Sequence, residues 1–357
     1  MAGKITHIEV LAQVSKHLDH GSANQRKIAE LLLNPLFKKY ACVGAIFPDI
    51  FYFYHFYSPL RTKKAQFWGD TLHHENPILL AVNFLEEIRD MEEGITKNKL
   101  IAFTFGFICH CIVDIVTHPY IFYISGDYYS KDPKISSNAQ INHLKVEFAL
   151  DSYLLNFRWG MNPHKYDFNK YVDIRVPNNP QKMDSLIWEF ILKGLKKTYQ
   201  DKFFSSYIGS EKKIIPGDLI NDSYIGFLDF HNVLDSRSVF MRGFLKTFDF
   251  LTLYKFKSSV LVLPVRESIN IRIMNEEKRP WFYPSLPSKM SNENFIELVN
   301  RSALDSISIL TLSDSYINGE IKKEDILKDY DGYNLDTGIR YRGVNSMKEF
   351  SPIGEES

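Results

Sequence analysis

Between residues 99 and 151, six side chains with the chemistry of metal ligands recur at a spacing of four: His110, Asp114 and His118, then His143, Glu147 and Asp151. Residues four apart lie one above another on an α-helix, so each trio lines one stripe of its own helix. Two such helices packed together aim imidazoles and carboxylates at one small volume. Residues 100–119 are apolar almost all round, which is the pattern of a buried helix. A carboxylate there sits in low dielectric and must be neutralised or matched by a cation. The spacing therefore predicts a metal site, and zinc takes His nitrogen and carboxylate oxygen at about 2.0–2.2 Å. Two stripes of this composition hold donors for more than one ion.

Pro119 is expected to end the first helix immediately after His118. In the second segment Leu144, Phe148, Leu150, Leu154 and Leu155 supply a core face and leave the His143, Glu147 and Asp151 stripe to the site. Residues 100–124 approach the length and apolarity of a membrane span. Asp114 near their middle argues against that reading, because its insertion alone costs about 2.5–3.5 kcal/mol.

At 357 residues, with 45% hydrophobic and 14% aromatic content, the chain can bury a large core and reads as a folded globular protein. Its 43 basic and 43 acidic residues cancel, so no overall basic field points to a nucleic-acid duplex as main partner. Cys42, Cys109 and Cys111 lie in apolar surroundings, as reduced thiols do. Cys109 and Cys111 flank His110 but point roughly 100° away from it on a helix. The first residues lack the apolar run of a signal peptide, and a cytoplasmic location is expected.

Along the chain, an apolar stripe over residues 5–19 predicts a first helix with His7 near its start, and Ser22 with Gln25 resembles a capping box opening a second, Gln25–Leu33. By itself His7 reads as a surface or capping histidine. Gly44 and Pro48 punctuate the next stretch, in which Asp49 is the one acid of a long apolar and aromatic run; it either caps a turn or reaches the cluster. A basic tip at residues 61–64 precedes His73 and His74, which sit just before a helix over residues 78–91. The aromatic residues 120–133 are expected to form a lip of the site. Residues 159–168 read as an irregular loop, followed by an amphipathic helix from Met183 to Leu195, a helix or two within 223–259 and a last strong helix over 292–316. The reading is one helical domain over residues 1–328, with metal ligands in 1–158 and a helical remainder in 159–328. Residues 329–357 are expected to be a polar, mobile tail.

Taken in order, Thr6-His7, Gly44 to Pro48-Asp49-Ile50, Leu72-His73, His110-x3-Asp114-x3-His118-Pro119-Tyr120 and His143-x3-Glu147-x3-Asp151 resemble the zinc-dependent phospholipase C family, its intracellular bacterial members more than the secreted toxins. The likeness covers residues 5–155 and, more weakly, the end of the chain from Trp281 to Ala303. It implies an all-α fold, a multi-helix bundle around a buried polynuclear zinc site with two or three ions, and cleavage of a phospholipid phosphodiester by an activated water. Position by position, Asp49, His73, His110 and Asp114 resemble the ligands of one zinc, and His118, His143 and Glu147 those of a second. His7 resembles a ligand of a third, with Asp114 bridging. The resemblance also makes Asp49 the position of the catalytic base or water-orienting group. The resemblance prefers His73 over His74, which the local sequence does not decide. His74 and Asp151 are expected in supporting positions, Asp151 holding a ligand histidine in place. The implied partner is a phospholipid or another phosphodiester, with membrane contact peripheral and no spanning helix. Two rivals stand. One is a nuclease or nucleotidase on the same zinc constellation, with Lys193, Lys196, Lys197, Lys212 and Lys213 as its basic candidates. The other is a metal-stabilised binding module without turnover.

Overall fold

The computed structural model describes residues 3–162, 165–234, 238–252 and 258–353. Its helices are α1 (Lys4–Asp19), α2 (Ala23–Leu33), α3 (Pro35–Gly44), α4 (Pro59–His74), α5 (Pro77–Arg89), α6 (Ile95–Ser125), α7 (Pro133–Tyr153), α8 (Asn169–Val172), α9 (Ser185–Thr198), α10 (Gln200–Ser206), α11 (Leu219–Val233), α12 (Val239–Leu251), α13 (Phe295–Ile317) and α14 (Lys323–Tyr330). A 3-10 turn, Phe47–Phe53, joins α3 to α4. The strands form three antiparallel hairpins: β1 (Arg175–Val176) with β2 (Asn179–Met183), β3 (Trp281–Tyr283) with β4 (Leu286–Ser291), and β5 (Tyr333–Asn334) with β6 (Ile339–Arg340). Among the described residues the architecture is an all-α bundle, as the sequence predicts.

Helix α6 is the axis, and α1, α3, α5, α7 and α13 pack around it. It is long and apolar enough to cross a membrane by length and composition, yet 89% of its most apolar stretch is buried inside the fold. The closest approach is to α3. A Cβ on Gly44 would sit 1.9 Å from the Phe103 carbonyl oxygen, and a Cβ on Gly106 would sit 1.9 Å from that of Ala41. The two glycines let the backbones touch, which brings the turn holding Asp49 against the helix holding His110. Gly44 therefore marks a helix crossing as well as a helix end.

Proline does not end α6. The helix runs through Pro119 to Ser125, so Tyr120–Ser125 belong to the axis and the lip shrinks to residues 126–132. Pro119 has no N–H for the Ile115 carbonyl, and that oxygen instead faces Gly338 at φ 60°, where a Cβ would lie 2.3 Å away. Burial of the apolar helix on every side outweighs the lost hydrogen bond. A second difference is α4. The basic tip belongs to a helix begun by Pro59 at its first turn, and His73 and His74 end that helix instead of preceding one.

The segment after residue 329 does not stand apart as a tail. Leu335, Asp336, Thr337 and Met347 are buried. The Leu335 N–H donates to the His73 carbonyl at 2.8 Å, while the N–H groups of Ser351 and Ile353 donate to Tyr123 and Ile124 at 2.7 and 3.0 Å. These are carbonyls of the last turns of α4 and α6, which a helix cannot satisfy internally. Residues 354–357, like Pro163 and His164 of the aromatic loop, lie outside the described residues.

Helix starts follow their caps. Ser22 and Gln25 form the expected capping box on α2, and Asn294 with Glu297 forms another on α13. Helix α1 has no side-chain cap of its own. Asp151 crosses from α7 to serve it, accepting from the Ile5 N–H at 3.0 Å, the Thr6 N–H at 2.9 Å and the Thr6 hydroxyl at 3.0 Å. Its expected partner was a ligand imidazole; its actual partner is the helix end that carries His7, where orphan N–H groups and the dipole favour a carboxylate.

Replacing Gly106 by Ala should lower stability by about 2 kcal/mol or more through overpacking at the crossing, read as a fall in thermal midpoint. Gly243→Ala in α12, where an added Cβ meets nothing within 4 Å, should be neutral or stabilising by about 1 kcal/mol.

Candidate metal centre

The cluster is assembled from separate elements: His7 from α1, Asp49 from the 3-10 turn, His73 from the last turn of α4, His110, Asp114 and His118 from α6, and His143 and Glu147 from α7. All are buried. Asp114 is the hub. Its Oδ1 lies 3.5 Å from His7 Nε2 and 3.2 Å from His118 Nε2, and its Oδ2 lies 3.0 Å from His110 Nε2 and 3.5 Å from His73 Nε2. Asp49 places Oδ1 3.3 Å from His73 Nε2 and Oδ2 4.0 Å from His7 Nε2. On the far side of His118, His143 Nε2 lies 2.9 Å from Glu147 Oε1.

Hydrogen bonds fix which nitrogen of each ring faces inward. His73 Nδ1 lies 2.8 Å from the Gly69 carbonyl and His110 Nδ1 2.9 Å from the Ala45 carbonyl. A carbonyl only accepts, so both Nδ1 atoms carry the proton and both Nε2 lone pairs point into the cluster. His118 Nδ1 lies 3.1 Å from Asp336 Oδ1, within ion-pair reach. A carboxylate behind the imidazole orients the ring and raises its basicity, the usual support for a metal-bound histidine.

Charge follows from the packing. Burial works against an ionised Asp114, but His118, His110 and His7 outweigh it and hold the carboxyl well below its usual range. Burial also opposes a charged His73, and there Asp114 and Asp49 win, raising it well above 6.5. His7 goes the other way. Burial, then the neighbouring His110, push it well below 6.5, and its ring stacks on that of His110 at 4.1 Å. Stacked imidazoles at that separation are compatible with neutral rings, the form in which histidine binds a metal.

The donor set fits zinc. His7 Nδ1 and Nε2, Asp49 Oδ1, and the Nε2 atoms of His73, His110 and His118 have no hydrogen-bond partner among the described residues. Buried polar atoms are normally satisfied, so this concentration calls for a cation. Two donors each about 2.0–2.1 Å from one tetrahedral ion stand roughly 3.3 Å apart, and the separations from Asp114 and Asp49 to the imidazoles of His73, His110 and His118 run from 3.0 to 3.5 Å. Three groupings have donor atoms mutually within 4.8 Å: His7, His110 and Asp114; Asp49, His73 and His110; and His118, His143 and Glu147. They match the two-to-three-zinc expectation.

Asp336 escaped the sequence reading. It sits in the turn between β5 and β6, whose shape Asn334 fixes by accepting from the N–H groups of Asp336 and Thr337 at 3.1 and 3.0 Å. Burial opposes its charge, and His118 and His74 overcome that to hold it well below the usual carboxylate range. His74 is therefore a supporting residue through Asp336, at 2.8 Å, and Tyr129 donates to the same carboxylate. The accessible edge of the site is half-buried: Tyr52, whose hydroxyl donates to Asp70 at 2.9 Å, and Tyr128, whose ring lies 5.2 Å from that of His143.

Three of the five lysines suggested for nucleic acid are paired with acids. Lys193 pairs with Glu189 at 3.0 Å, Lys196 with Glu211 at 2.5 Å and Lys197 with Glu86 at 2.9 Å. These three lysines form ion pairs on the protein surface, which weakens the nuclease reading.

Comparison with protein families gives a match to the model for zinc dependent phospholipase C over residues 6–201. Comparison with curated proteins and with solved structures returns no match. The matched span takes in every cluster residue from His7 to Glu147 and stops well short of Asp336.

Replacing Asp336 by Ala should weaken zinc binding by about 10- to 100-fold, the usual cost of removing a carboxylate behind a ligand histidine, with a smaller loss of folding stability. Competition against a chromophoric chelator measures it.

Proposed function

The chain belongs to the zinc dependent phospholipase C family, and from that premise we propose that its buried cluster hydrolyses the phosphodiester of a phospholipid, with Asp49 as the base. The carrying observation is the inward set of His73, His110 and His118 Nε2 atoms around Asp114, with the Nδ1 atoms of His73 and His110 hydrogen-bonded behind them and that of His118 facing Asp336. Zinc-dependent phosphodiester hydrolysis is the activity this family and these groupings support.

In this reading Asp49, His73, His110 and Asp114 would hold one ion, His118, His143 and Glu147 a second, and His7 with Asp114 a third. Bound zinc supplies Lewis-acid chemistry, neutralising charge on the phosphodiester oxygens and making a nearby water acidic near neutral pH. The protein supplies the rest. Asp114 spreads its charge over four imidazoles and holds them in fixed positions. Asp49 sits on a turn, with 7% of its side chain exposed while Asp114 shows none, so it is the cluster carboxylate nearest to incoming water. It takes the water proton as the oxygen forms its bond to phosphorus. The bond from phosphorus to the glycerol oxygen breaks, that oxygen leaves as diacylglycerol with a proton drawn from solvent, Asp49 returns its proton to solvent, and the head group leaves as a phosphate monoester. Tyr52, Tyr128 and Tyr129 border the accessible edge and keep bulk water from it.

A reducing, cytoplasmic location is the reading that the three buried, unbridged cysteines support. Burial pushes the thiols of Cys42 and Cys109 up to about 12, which keeps them protonated and unreactive.

Asp49→Asn should reduce phosphodiesterase turnover by about 10²- to 10⁴-fold, the range for loss of a general base, while shifting the thermal midpoint little. Assays on phosphatidylcholine, bis-p-nitrophenyl phosphate and single-stranded DNA check it. Hydrolysis of the lipid and the small diester with DNA left intact supports the reading. Retained turnover in Asp49→Asn removes Asp49 from the chemistry.

A further inference from the structure

Helix α12 is inverted relative to an ordinary surface helix. Its buried side holds Leu245 and Asp249, the carboxylate accepting from the Ser259 N–H at 2.8 Å. Its solvent side presents Val239, Phe240, Phe244, Phe250 and Leu251, exposed by 74, 80, 53, 65 and 73%. At 3.6 residues per turn these fall within an arc of about 140°. A contiguous apolar face of this kind marks contact with something apolar.

We infer that α12 is a membrane-docking helix that seats the protein on a phospholipid surface bearing anionic head groups. Charge complementarity selects this occupant. The helix's charged residues are Arg242, Lys246 and Asp249; Asp249 is buried, and the exposed Lys246 borders one edge of the apolar arc. Phenylalanines on one face with basic residues beside them are the composition of a helix lying in a bilayer interface, where the rings enter the acyl boundary and the cations meet lipid phosphates.

The surroundings agree. Through the turn Ser258–Leu261, α12 rests on α7, the helix that carries His143 and Glu147. A cavity of about 810 Å³ lies between them, with Val146 and Phe148 from α7, Val262 and Leu263 beneath, and Arg242 and Lys246 from α12. Apolar walls beside cations suit an amphiphile with an anionic end. The docking surface therefore adjoins one wall of the metal centre, and its use in delivering lipid rests on the proposed phospholipid substrate. Binding itself does not.

The test is co-sedimentation of the full chain with vesicles of phosphatidylcholine alone and of equimolar phosphatidylcholine and phosphatidylglycerol, for wild type and for the triple variant F240S/F244S/L251S. Wild type should bind the anionic vesicles more tightly, less so in high salt, and the variant should lose affinity by about tenfold or more. Because the three side chains face solvent, the variant should keep its thermal midpoint and its rate on bis-p-nitrophenyl phosphate. A second variant, Lys246→Glu, should reduce the preference for anionic vesicles with the apolar face intact. Equal vesicle binding by wild type and triple variant, or none by wild type, overturns the proposal. So does a concentration-dependent dimer in analytical ultracentrifugation that the triple variant abolishes. Vesicle binding without hydrolysis of any diester would leave the docking helix standing and sink the proposed activity instead.

Discussion

A carboxylate with no solvent exposure, set in the most apolar helix of the chain, is the interaction on which the rest depends. Asp114 is tolerable in α6 because four imidazoles reach it, one each from α1 and α4 and two from its own helix. Without cationic partners its burial would cost several kcal/mol. The same demand that recruits His7, His73, His110 and His118 around it creates a set of lone pairs that only cations can satisfy. Folding and metal binding are thus one problem in this protein, and α1, α4 and α7 are placed where they are because each delivers a donor.

That placement is maintained by contacts of a different kind. The glycine pair at the crossing of α3 and α6 sets the depth of the Asp49 turn. Asp151 holds the start of α1, and so the height of His7, from one turn beyond Glu147. The segment after α14 closes the ends of α4 and α6 by donating to their last carbonyls, and lowers Asp336 behind His118. Each acts on backbone or on the outer nitrogen of an imidazole, leaving the inner faces to the metal. The exposed apolar face of α12 stands outside this logic, since nothing in the core requires it.

Much of the centre was legible because helical spacing converts directly into geometry. Residues four apart on α6 and α7 must share a stripe, and an Asp in an almost wholly apolar helix must have a partner. The ordered motifs added His7, Asp49 and His73, none of which local periodicity singles out. Asp336 was not legible. It belongs to a polar turn 218 positions after His118, and its burial comes from tertiary packing that composition does not report. The continuation of α6 through Pro119 was missed because local backbone chemistry favours a break, while packing on every side of the helix overrides it. Helix α4 was missed because its basic residues face solvent and its apolar stripe is short. Asp151 was placed correctly beside the site yet assigned the wrong partner, since a carboxylate at the right height can hold either an imidazole or a helix end.

The central claim is that these buried side chains are arranged to hold zinc. Metal content by plasma mass spectrometry, on protein purified without chelators, tests it most directly when wild type is compared with a His110→Ala, His143→Ala double variant that opens all three groupings. The account predicts two or three zinc ions per chain in the wild type and their loss in the variant. Substoichiometric metal that the substitutions leave unchanged would contradict it.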